Sequence, residues 1–476
     1  MLTKRILSCF FILALFFSQI SIAQTEPYKT INDTLVLNLE DCLKLALENN
    51  QKVVGAGYAI EAAQQQLKEA NAAFWPILEY EYRVAPVPTD ASRAFDSFFE
   101  GELAMFNSFK FRAIMPVFAS GQLSTARKLG KHGVAAARQE NIKLREQTIY
   151  EVKQLYYAIQ LASELDKLLA NSVEKINSRL ESEESKEISD ISPFDLLKLK
   201  VFKVELEKRL DETQQNKEIA LHALKVQMGL DENAKIKLSS ELLKPEVVEL
   251  STYKKYLQAS AEHRPEFKLL EIGVDAKKLQ YKLEKQKMGP TAGAAFFIDL
   301  GRTTEDIRNV GLTNDYDDPF NFSRAGAGLQ ISGKLDFHGA TARIRKAKAE
   351  YLKASYEKMM ARNGLALDLE KAYRKAERQK NNVNRAQEAE SMARQMLFLA
   401  KSNLDIGVGD EDDYTDALQL VLLSRGQYFQ AVFEYNTALA ELEQKVGSNN
   451  YEHLTSRPNI PEYEMFNGNN GEEFNW

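Results

Sequence analysis

Residues that could carry out chemistry are few in this sequence of 476 residues, and their spacing matches no catalytic or metal-binding motif. The five histidines are too far apart to form metal-ligand pairs. The acidic runs at 315–318 and 410–413 could bind calcium or be solvated acidic loops, and both lack the glycine and spaced ligands of an EF-hand. No Ser-His-Asp or Cys-His arrangement is visible. The sequence therefore predicts no enzyme, no cofactor and no metal site.

The composition indicates an ordered chain built from few and long regular elements. Hydrophobic residues make up 44% of the sequence, which is enough apolar material for a large ordered structure. Only 12 prolines and 23 glycines interrupt it, unlike an enzyme domain with many turns. The formal net charge of −6 argues against a strongly basic surface, so nucleic acid is not expected as a partner.

Residues 1–23 have the pattern of a secretory signal peptide. Two basic residues precede an apolar run over 6–17, and Ser21-Ile22-Ala23 ends in small residues suited to cleavage. An uncleaved anchor is the alternative, although it needs about 20 apolar residues. Cleavage would leave Cys42 as the one cysteine, so no intrachain disulfide is expected. Because no later segment has 18 uninterrupted apolar residues, we expect the exported chain to cross a membrane only through β-strands.

The chain contains a long internal repeat. An offset of 218 residues aligns Gly121 with Gly339 and Arg127-Lys128 with Arg345-Lys346, and an offset of 214 aligns the segments upstream. This period far exceeds that of a solenoid repeat and indicates duplication of a whole unit. The predicted organisation is a signal peptide (1–23), an N-terminal extension (24–37), a first repeat (38–230), a connector (231–249), a second repeat (250–447) and a polar tail (448–476).

Each half has two segments in which apolar and polar residues alternate, at 78–84 and 109–117 and again at 292–300 and 325–337. Such segments predict strands with one apolar and one polar face. Their length of about ten residues is the length that a tilted membrane-spanning strand requires. A soluble sandwich is the alternative, but it needs turn signals about every 8–12 residues, whereas long helical patterns flank these strands.

The helical patterns are long and mostly free of proline. They cover 39–74, 122–184, 193–229, 340–405 and 411–447. At about 1.5 Å per residue, the two longest would each extend for roughly 90 Å. A helix of that length has to bury its apolar stripe along other helices, as a coiled coil or a tubular bundle. The sequence therefore predicts long antiparallel helical hairpins that project from the strands.

Four strands form an open sheet, and its unpaired edges are costly in hydrocarbon. Eight strands from two chains would close a barrel that side chains nearly fill, whereas twelve strands from three chains leave space inside. We therefore expect a homotrimer with a 12-stranded transmembrane barrel. The apolar faces would contact lipid, and the polar faces would line the lumen. The predicted lumen residues are Lys110, Arg112, Gln330, Lys334 and Asp336.

The sequence resembles the TolC-like outer-membrane efflux proteins. The resemblance is carried by Leu-Asn-Leu-Glu-Asp-Cys-Leu at 37–43, Trp75-Pro76, Pro-Val-Phe-Ala-Ser-Gly at 116–121, His-Arg-Pro-Glu at 263–266 and Leu-Asp-Phe-His-Gly at 335–339. Their order, present in duplicate over about 38–447, is more specific than any single motif.

This resemblance implies a trimeric barrel in the outer membrane of a Gram-negative bacterium, continued by an α-helical tunnel across the periplasm. It also implies a passive exit duct for a tripartite efflux or type I secretion system. The partners would be a periplasmic adaptor protein and an inner-membrane pump of the RND, ABC or MFS type. The alternative from the residues alone is an exported coiled-coil scaffold of the envelope without channel activity.

The hairpins should turn at 181–190 and 405–416, where Ser192 and Asp410 begin the return helices. The resemblance places Asp413 and Asp416 in the lumen at a constricted entrance, where rings of carboxylates favour cations. Helix capping is the alternative for Asp413.

The turn Gly407, Val408 and Gly409 is the candidate adaptor contact, with turn geometry as the alternative. Some family members close the entrance with a Tyr and an Arg. The matching positions here are Leu404 and Gly409, so that lock is not expected.

Overall fold

The computed structural model describes residues 30–31, 34–184, 192–308 and 318–447. The predicted signal peptide and the polar tail lie outside these ranges. The described residues form nine helices: α1 (Leu39–Asn49), α2 (Gln51–Ala72), α3 (Ala94–Glu100), α4 (Gln122–Glu184), α5 (Pro193–Gln227), α6 (Tyr253–His263), α7 (Pro265–Gln286), α8 (Phe337–Asp405) and α9 (Glu411–Val446). The seven strands among them are β1 (Thr30–Ile31), β2 (Thr34–Leu37), β3 (Ile77–Pro88), β4 (Leu103–Phe118), β5 (Lys235–Leu238), β6 (Thr291–Thr303) and β7 (Phe322–Ser332).

The long helices confirm the predicted hairpins. Helix α4 has 63 residues and α8 has 69, and each returns through a helix about half as long, α5 with 35 residues and α9 with 36. Helix α4 packs along α5, and α8 packs along α9. The mainly helical fold with four antiparallel strands is therefore confirmed.

The single helix predicted over 39–74 is wrong, because the chain contains two helices that meet at Asn50. This residue has φ −59° and ψ 124°, and its side chain accepts a hydrogen bond from the Lys52 backbone N–H. The second half breaks at the corresponding place, where Pro265 begins α7 and Arg264 is extended. Proline disfavours a helical conformation in the residue before it, and the asparagine achieves a similar break by capping.

The four long strands form one antiparallel sheet in the order β3-β4-β6-β7. The predicted alternation is confirmed by the register, in which Tyr80 is opposite Phe111 and Phe111 is opposite Ile298. The segment predicted as a strand over 325–337 ends earlier, at Ser332. It ends there because Asp336 caps α8, accepting a hydrogen bond of 2.9 Å from the Gly339 backbone N–H.

The connector takes part in the fold. Strand β5 pairs in parallel with β2, so the N-terminal extension and the connector share a small sheet. The chain after β5 then lies against the long helices, where Gln160 Nε2 donates to the carbonyls of Ser240 and Leu242. The buried side chain of Asn436 donates to the Lys244 carbonyl and accepts from the Glu246 N–H. These bonds satisfy backbone groups of an extended segment that has no helix or long sheet of its own.

The main hydrophobic core lies where α1, α4, α5, α8 and α9 meet beside the small sheet. Its fully buried members include Leu37, Val152, Leu224, Leu369 and Val432. Over the described ranges, no helix combines the length and the apolar character needed to cross a membrane.

Replacing Leu369 with alanine should destabilise the protein by about 2–5 kcal/mol, because the lost methyl groups leave a cavity in this core. The matched control is Leu367→Ala, whose side chain is 52% exposed two residues earlier on the same helix. Chemical denaturation followed by circular dichroism measures both variants. Equal midpoints for the two variants would contradict the core assignment.

Candidate functional site

The polar face of the long sheet carries a row of alternating charges. Glu81 is opposite Lys110, Lys110 is opposite Asp299, and Asp299 is opposite Arg324. Residues directly opposite each other in an antiparallel sheet lie on the same face and interact, and opposite charges stabilise the pairing. The row therefore crosses all four strands with two carboxylates and two cations.

The other predicted residues of this face fall in two groups. Arg112 is opposite Glu79, and Gln330 is opposite Gly293, so both lie on the same face as Lys110. Lys334 and Asp336 follow the end of β7 and are not strand residues, which corrects their predicted placement. Asp336 caps α8 and binds Arg343 at 3.0 Å, and this hydrogen bond lowers the pKa of the Asp336 carboxyl.

The opposite face of the sheet is apolar and exposed. Tyr80 is 81% exposed, Leu78 is 63% exposed and Leu329 is 78% exposed. They share the face with Phe111, Ile298 and Phe296, the residues that the register places in the same rows. An exposed apolar surface of this kind marks contact with lipid or with another protein.

The two outer strands of the sheet, β3 and β7, have no partner on their outer edges among the described residues. They contain 12 and 11 residues, so each edge presents a long row of backbone N–H and C=O groups. Since every neighbouring pair is antiparallel, β3 and β7 run in opposite directions. The edge of β7 in one copy of the chain can therefore pair in antiparallel with the edge of β3 in another copy.

At the hairpin tip of the second half, α8 ends in a Schellman motif. Gly407 has φ +78°, its N–H donates to the Leu404 carbonyl, and the N–H of Val408 donates to the Asn403 carbonyl, both at 3.0 Å. A Cβ at Gly409 would lie 2.8 Å from the Leu404 nitrogen. Turn geometry thus explains both glycines. It does not explain the exposure of the Val408 side chain, which is 79% exposed.

The aspartates beside this turn have different surroundings. Asp410 is the N-cap of α9, and its side chain accepts from the Asp412 N–H. Asp413 is exposed, and its carboxylate makes no ion pair or hydrogen bond with any other described residue. Asp410 therefore supplies the cap of α9, and the Asp413 carboxylate is left exposed. The predicted start of α5 is confirmed, since Ser192 Oγ accepts from the Asp195 N–H at 3.2 Å.

A lysine that sequence reasoning did not single out as a link connects the two hairpin tips. Lys198 Nζ on α5 lies 3.0 Å from Asp412 Oδ1 and 3.9 Å from Asp416 Oδ1 on α9. Its hydrogen bond with Asp412 raises the pKa of the Lys198 ammonium. The repeat offers one signal for this contact, because the 218-residue offset aligns Lys198 with Asp416 and gives opposite charges to equivalent positions.

The described residues contain no group of three or more His, Cys, Asp or Glu side chains that could hold a metal ion. Cys42 is buried, and burial raises the pKa of its thiol to about 12, so the thiol stays protonated at neutral pH. The candidate site is therefore a set of surfaces: the two sheet faces, the open strand edges and the hairpin tips.

One known family matches part of the chain. Residues 256–448 match the sequence profile of the family described as outer membrane efflux protein. No curated protein sequence matches the chain.

Solved structures share the fold at low sequence identity. The outer membrane channel CmeC of Campylobacter jejuni is 17% identical, with a TM-score of 0.71 over 90% of each chain. The outer membrane protein VceC of Vibrio cholerae is 15% identical, with a TM-score of 0.69 over 86% of this chain and 96% of its own. The outer membrane channel MtrE of Neisseria gonorrhoeae, in its open state, is 14% identical, with a TM-score of 0.70 over 90% of this chain and 97% of its own. The resemblance to TolC-like outer-membrane efflux proteins is confirmed.

Proposed function

We propose that this chain, which matches the outer membrane efflux proteins over residues 256–448 and shares the fold of outer-membrane channels, is the passive exit duct of an efflux or type I secretion system. It resides in the outer membrane of a Gram-negative bacterium, with its long helices in the periplasm. It acts as a homotrimer. The duct has no bond chemistry of its own, and a partner pump in the inner membrane, of the RND, ABC or MFS type, supplies the energy.

The observation that carries this proposal is the pair of open edges on an amphipathic sheet. Every unpaired backbone group in hydrocarbon costs several kcal/mol, so a sheet with free edges along β3 and β7 is not a membrane unit. Pairing β7 of one copy with β3 of the next continues the antiparallel order. Three copies supply twelve strands, enough for a barrel with space inside. The exposed apolar face then contacts lipid, and the charged row lines the lumen.

The entrance of the duct lies at the hairpin tips in this proposal. In a trimer, Asp413 and Asp416 occur three times each around a narrow ring, which attracts cations and repels anions. The bridge from Lys198 to Asp412 and Asp416 joins the two hairpins of one protomer. It offers a closing contact in a chain that has Leu404 and Gly409 where some family members have the Tyr and Arg of the lock.

The adaptor protein docks at the turn of residues 406–409 in this proposal. Ile406 and Val408 expose most of their side chains there, and the Schellman geometry holds them outward. Two aliphatic side chains at the end of a helical hairpin fit an apolar groove on the tip of another helical protein.

Conductance tests the proposal against the alternative of an envelope scaffold. The full-length protein, purified from outer membranes in detergent, should behave as three copies and produce stepwise conductance increments in planar lipid bilayers. The lumen of a closed twelve-stranded barrel is wide enough for ions and water. A water-soluble monomer that never conducts would contradict the duct and favour the scaffold.

Replacing Asp413 and Asp416 with alanine should lower the cation preference and weaken block by divalent cations, because a ring of negative charge is removed. The matched control is Asp211→Ala with Glu212→Ala, a pair of exposed acids along α5. Reversal potentials in asymmetric salt measure the selectivity of both double variants. If both double variants keep the wild-type ion selectivity and the wild-type block by divalent cations, the entrance assignment is wrong. The proposal that the protein is a duct is unaffected by that result.

A cysteine at Val408 tests the adaptor contact. Val408→Cys avoids the glycines that the turn requires and should crosslink to a co-expressed adaptor through a thiol–amine reagent. Val226→Cys is the control, since Val226 is 60% exposed on α5. The buried Cys42 should not react, because burial raises its thiol pKa to about 12. Crosslinking from both positions or from neither would count against docking at the tip.

A further inference from the structure

A basic cavity lies between α4 and α7, next to the helix ends that lead into the sheet. Its volume is about 470 Å³. It is lined by Lys128, His132, Asp275, Lys278, Leu279, Tyr281, Lys282 and Lys285. Four exposed lysines and a single carboxylate thus line this open cavity.

Helix periodicity explains why these charges converge. On α7, Lys278, Lys282 and Lys285 follow one another at spacings of four and three residues and share one face. On α4, Lys128 and His132 are four residues apart and face α7. Two basic stripes on neighbouring helices therefore meet across the cavity.

The lysines of this cavity lack the carboxylate partners found at the adjacent helix interface. None of the four makes an ion pair with another described residue, and Lys285 Nζ lies 4.5 Å above the ring centre of Tyr281. On the other side of α7, Lys277 Nζ is 3.1 Å from Glu350 Oε2 on α8. Since like charges at helical neighbour positions repel, an anion bound in the cavity would relieve this repulsion.

The duplicated fold does not require this basic cluster. The 214-residue offset replaces Lys278, Lys282 and Lys285 with Gln64, Lys68 and Asn71 in the first half, so only one of the three positions keeps its lysine. On its other side, α4 packs closely on α2, with Gly130 against Leu67. The cluster is therefore a local feature of one helix pair.

The position of the cavity suggests the source of the anion, and this step rests on the proposed function. Lys285 lies in the last turn of α7, and β6 begins at Thr291. Lys278 is about 10 Å farther from the strands along the helix. If the strands span the outer membrane, the cavity lies at the level of the periplasmic headgroups, which extend several ångströms beyond the hydrocarbon.

We propose that the cavity between α4 and α7 binds a phosphate group. Several ammonium groups around one space suit a phosphate, which accepts charge-assisted hydrogen bonds from each of them. Tyr281 adds a hydroxyl donor at the wall. The phosphate comes from the headgroup of an anionic phospholipid in the periplasmic leaflet or from the solvent, and the two sources are separable by experiment.

Lysine-to-glutamine substitution tests the site in the full-length protein. Lys282→Gln with Lys285→Gln should weaken binding of phosphatidylglycerol, measured by native mass spectrometry, by roughly tenfold, because two charge-assisted contacts are lost. Inorganic phosphate, measured by isothermal titration calorimetry, forms the second arm. Zwitterionic phosphatidylcholine serves as the reference lipid.

Two matched variants distinguish the loss of this site from a general loss of positive charge and from misfolding. Lys254→Gln with Lys255→Gln removes the same charge from exposed positions on α6 and should leave binding unchanged. Lys282→Arg with Lys285→Arg keeps the charge and should retain binding. A loss confined to phosphatidylglycerol supports the lipid headgroup, and a loss that extends to inorganic phosphate supports a site open to solvent.

Equal binding of both probes by the wild type and by Lys282→Gln with Lys285→Gln would overturn the proposal. The outcome is independent of the duct itself. Normal conductance with unchanged binding would remove only the phosphate site. If the glutamine variant loses phosphate binding but the protein never forms pores, the phosphate site stands and its placement at the membrane fails.

Discussion

Backbone hydrogen bonding at the edges of one sheet governs the proposed assembly. The outer edges of β3 and β7 present about a dozen residues each without a partner strand in the described chain. Water can satisfy such groups, but hydrocarbon cannot. Because the sheet has one exposed apolar face, the edges and the face together favour a membrane site only if further copies close the sheet. The proposed oligomerisation, membrane location and lumen thus all depend on pairing the backbone groups at these two edges.

The sheet also sets the arrangement of the helices. Each long strand joins one helix, so the strand order β3-β4-β6-β7 is repeated below it by α2, α4, α7 and α8, which contact one another in that order. The junctions are fixed by local bonds: Ser120 Oγ donates to the Pro290 carbonyl at 2.6 Å, and Gln122 Nε2 donates to the Gln286 carbonyl. These bonds hold the start of α4 and the end of α7 together, beside the end of the basic cavity that is nearest the sheet.

The hairpin tips lie at the far ends of the long helices, away from the sheet. A cavity of about 840 Å³ separates the first-half and second-half hairpins behind the tips, with Arg179, Lys401 and Tyr414 among its lining residues. Near it, the polar link from Lys198 to Asp412 and Asp416 joins α5 to α9. An exposed ion pair is weak and easily exchanged, in contrast to the apolar core beside the small sheet. In the proposed duct, this difference suits a rigid middle and an adjustable entrance.

The sequence by itself determined the elements, because their periodicities are local properties of the chain. Alternation placed all four long strands, and proline-free helical patterns placed both ends of the 63-residue helix α4. Motifs in duplicate pointed to the efflux family and its outer-membrane location. Local signals did not reveal the break at Asn50 or the end of β7 at Ser332, since each depends on a cap that competes with a continuing pattern.

Tertiary structure alone decided which distant residues meet: the charged row from Glu81 to Arg324, the bridge from Lys198, and the lysines that α4 and α7 bring around one cavity. Those contacts arise from the packing of helices and the register of strands, which no spacing within a single segment encodes.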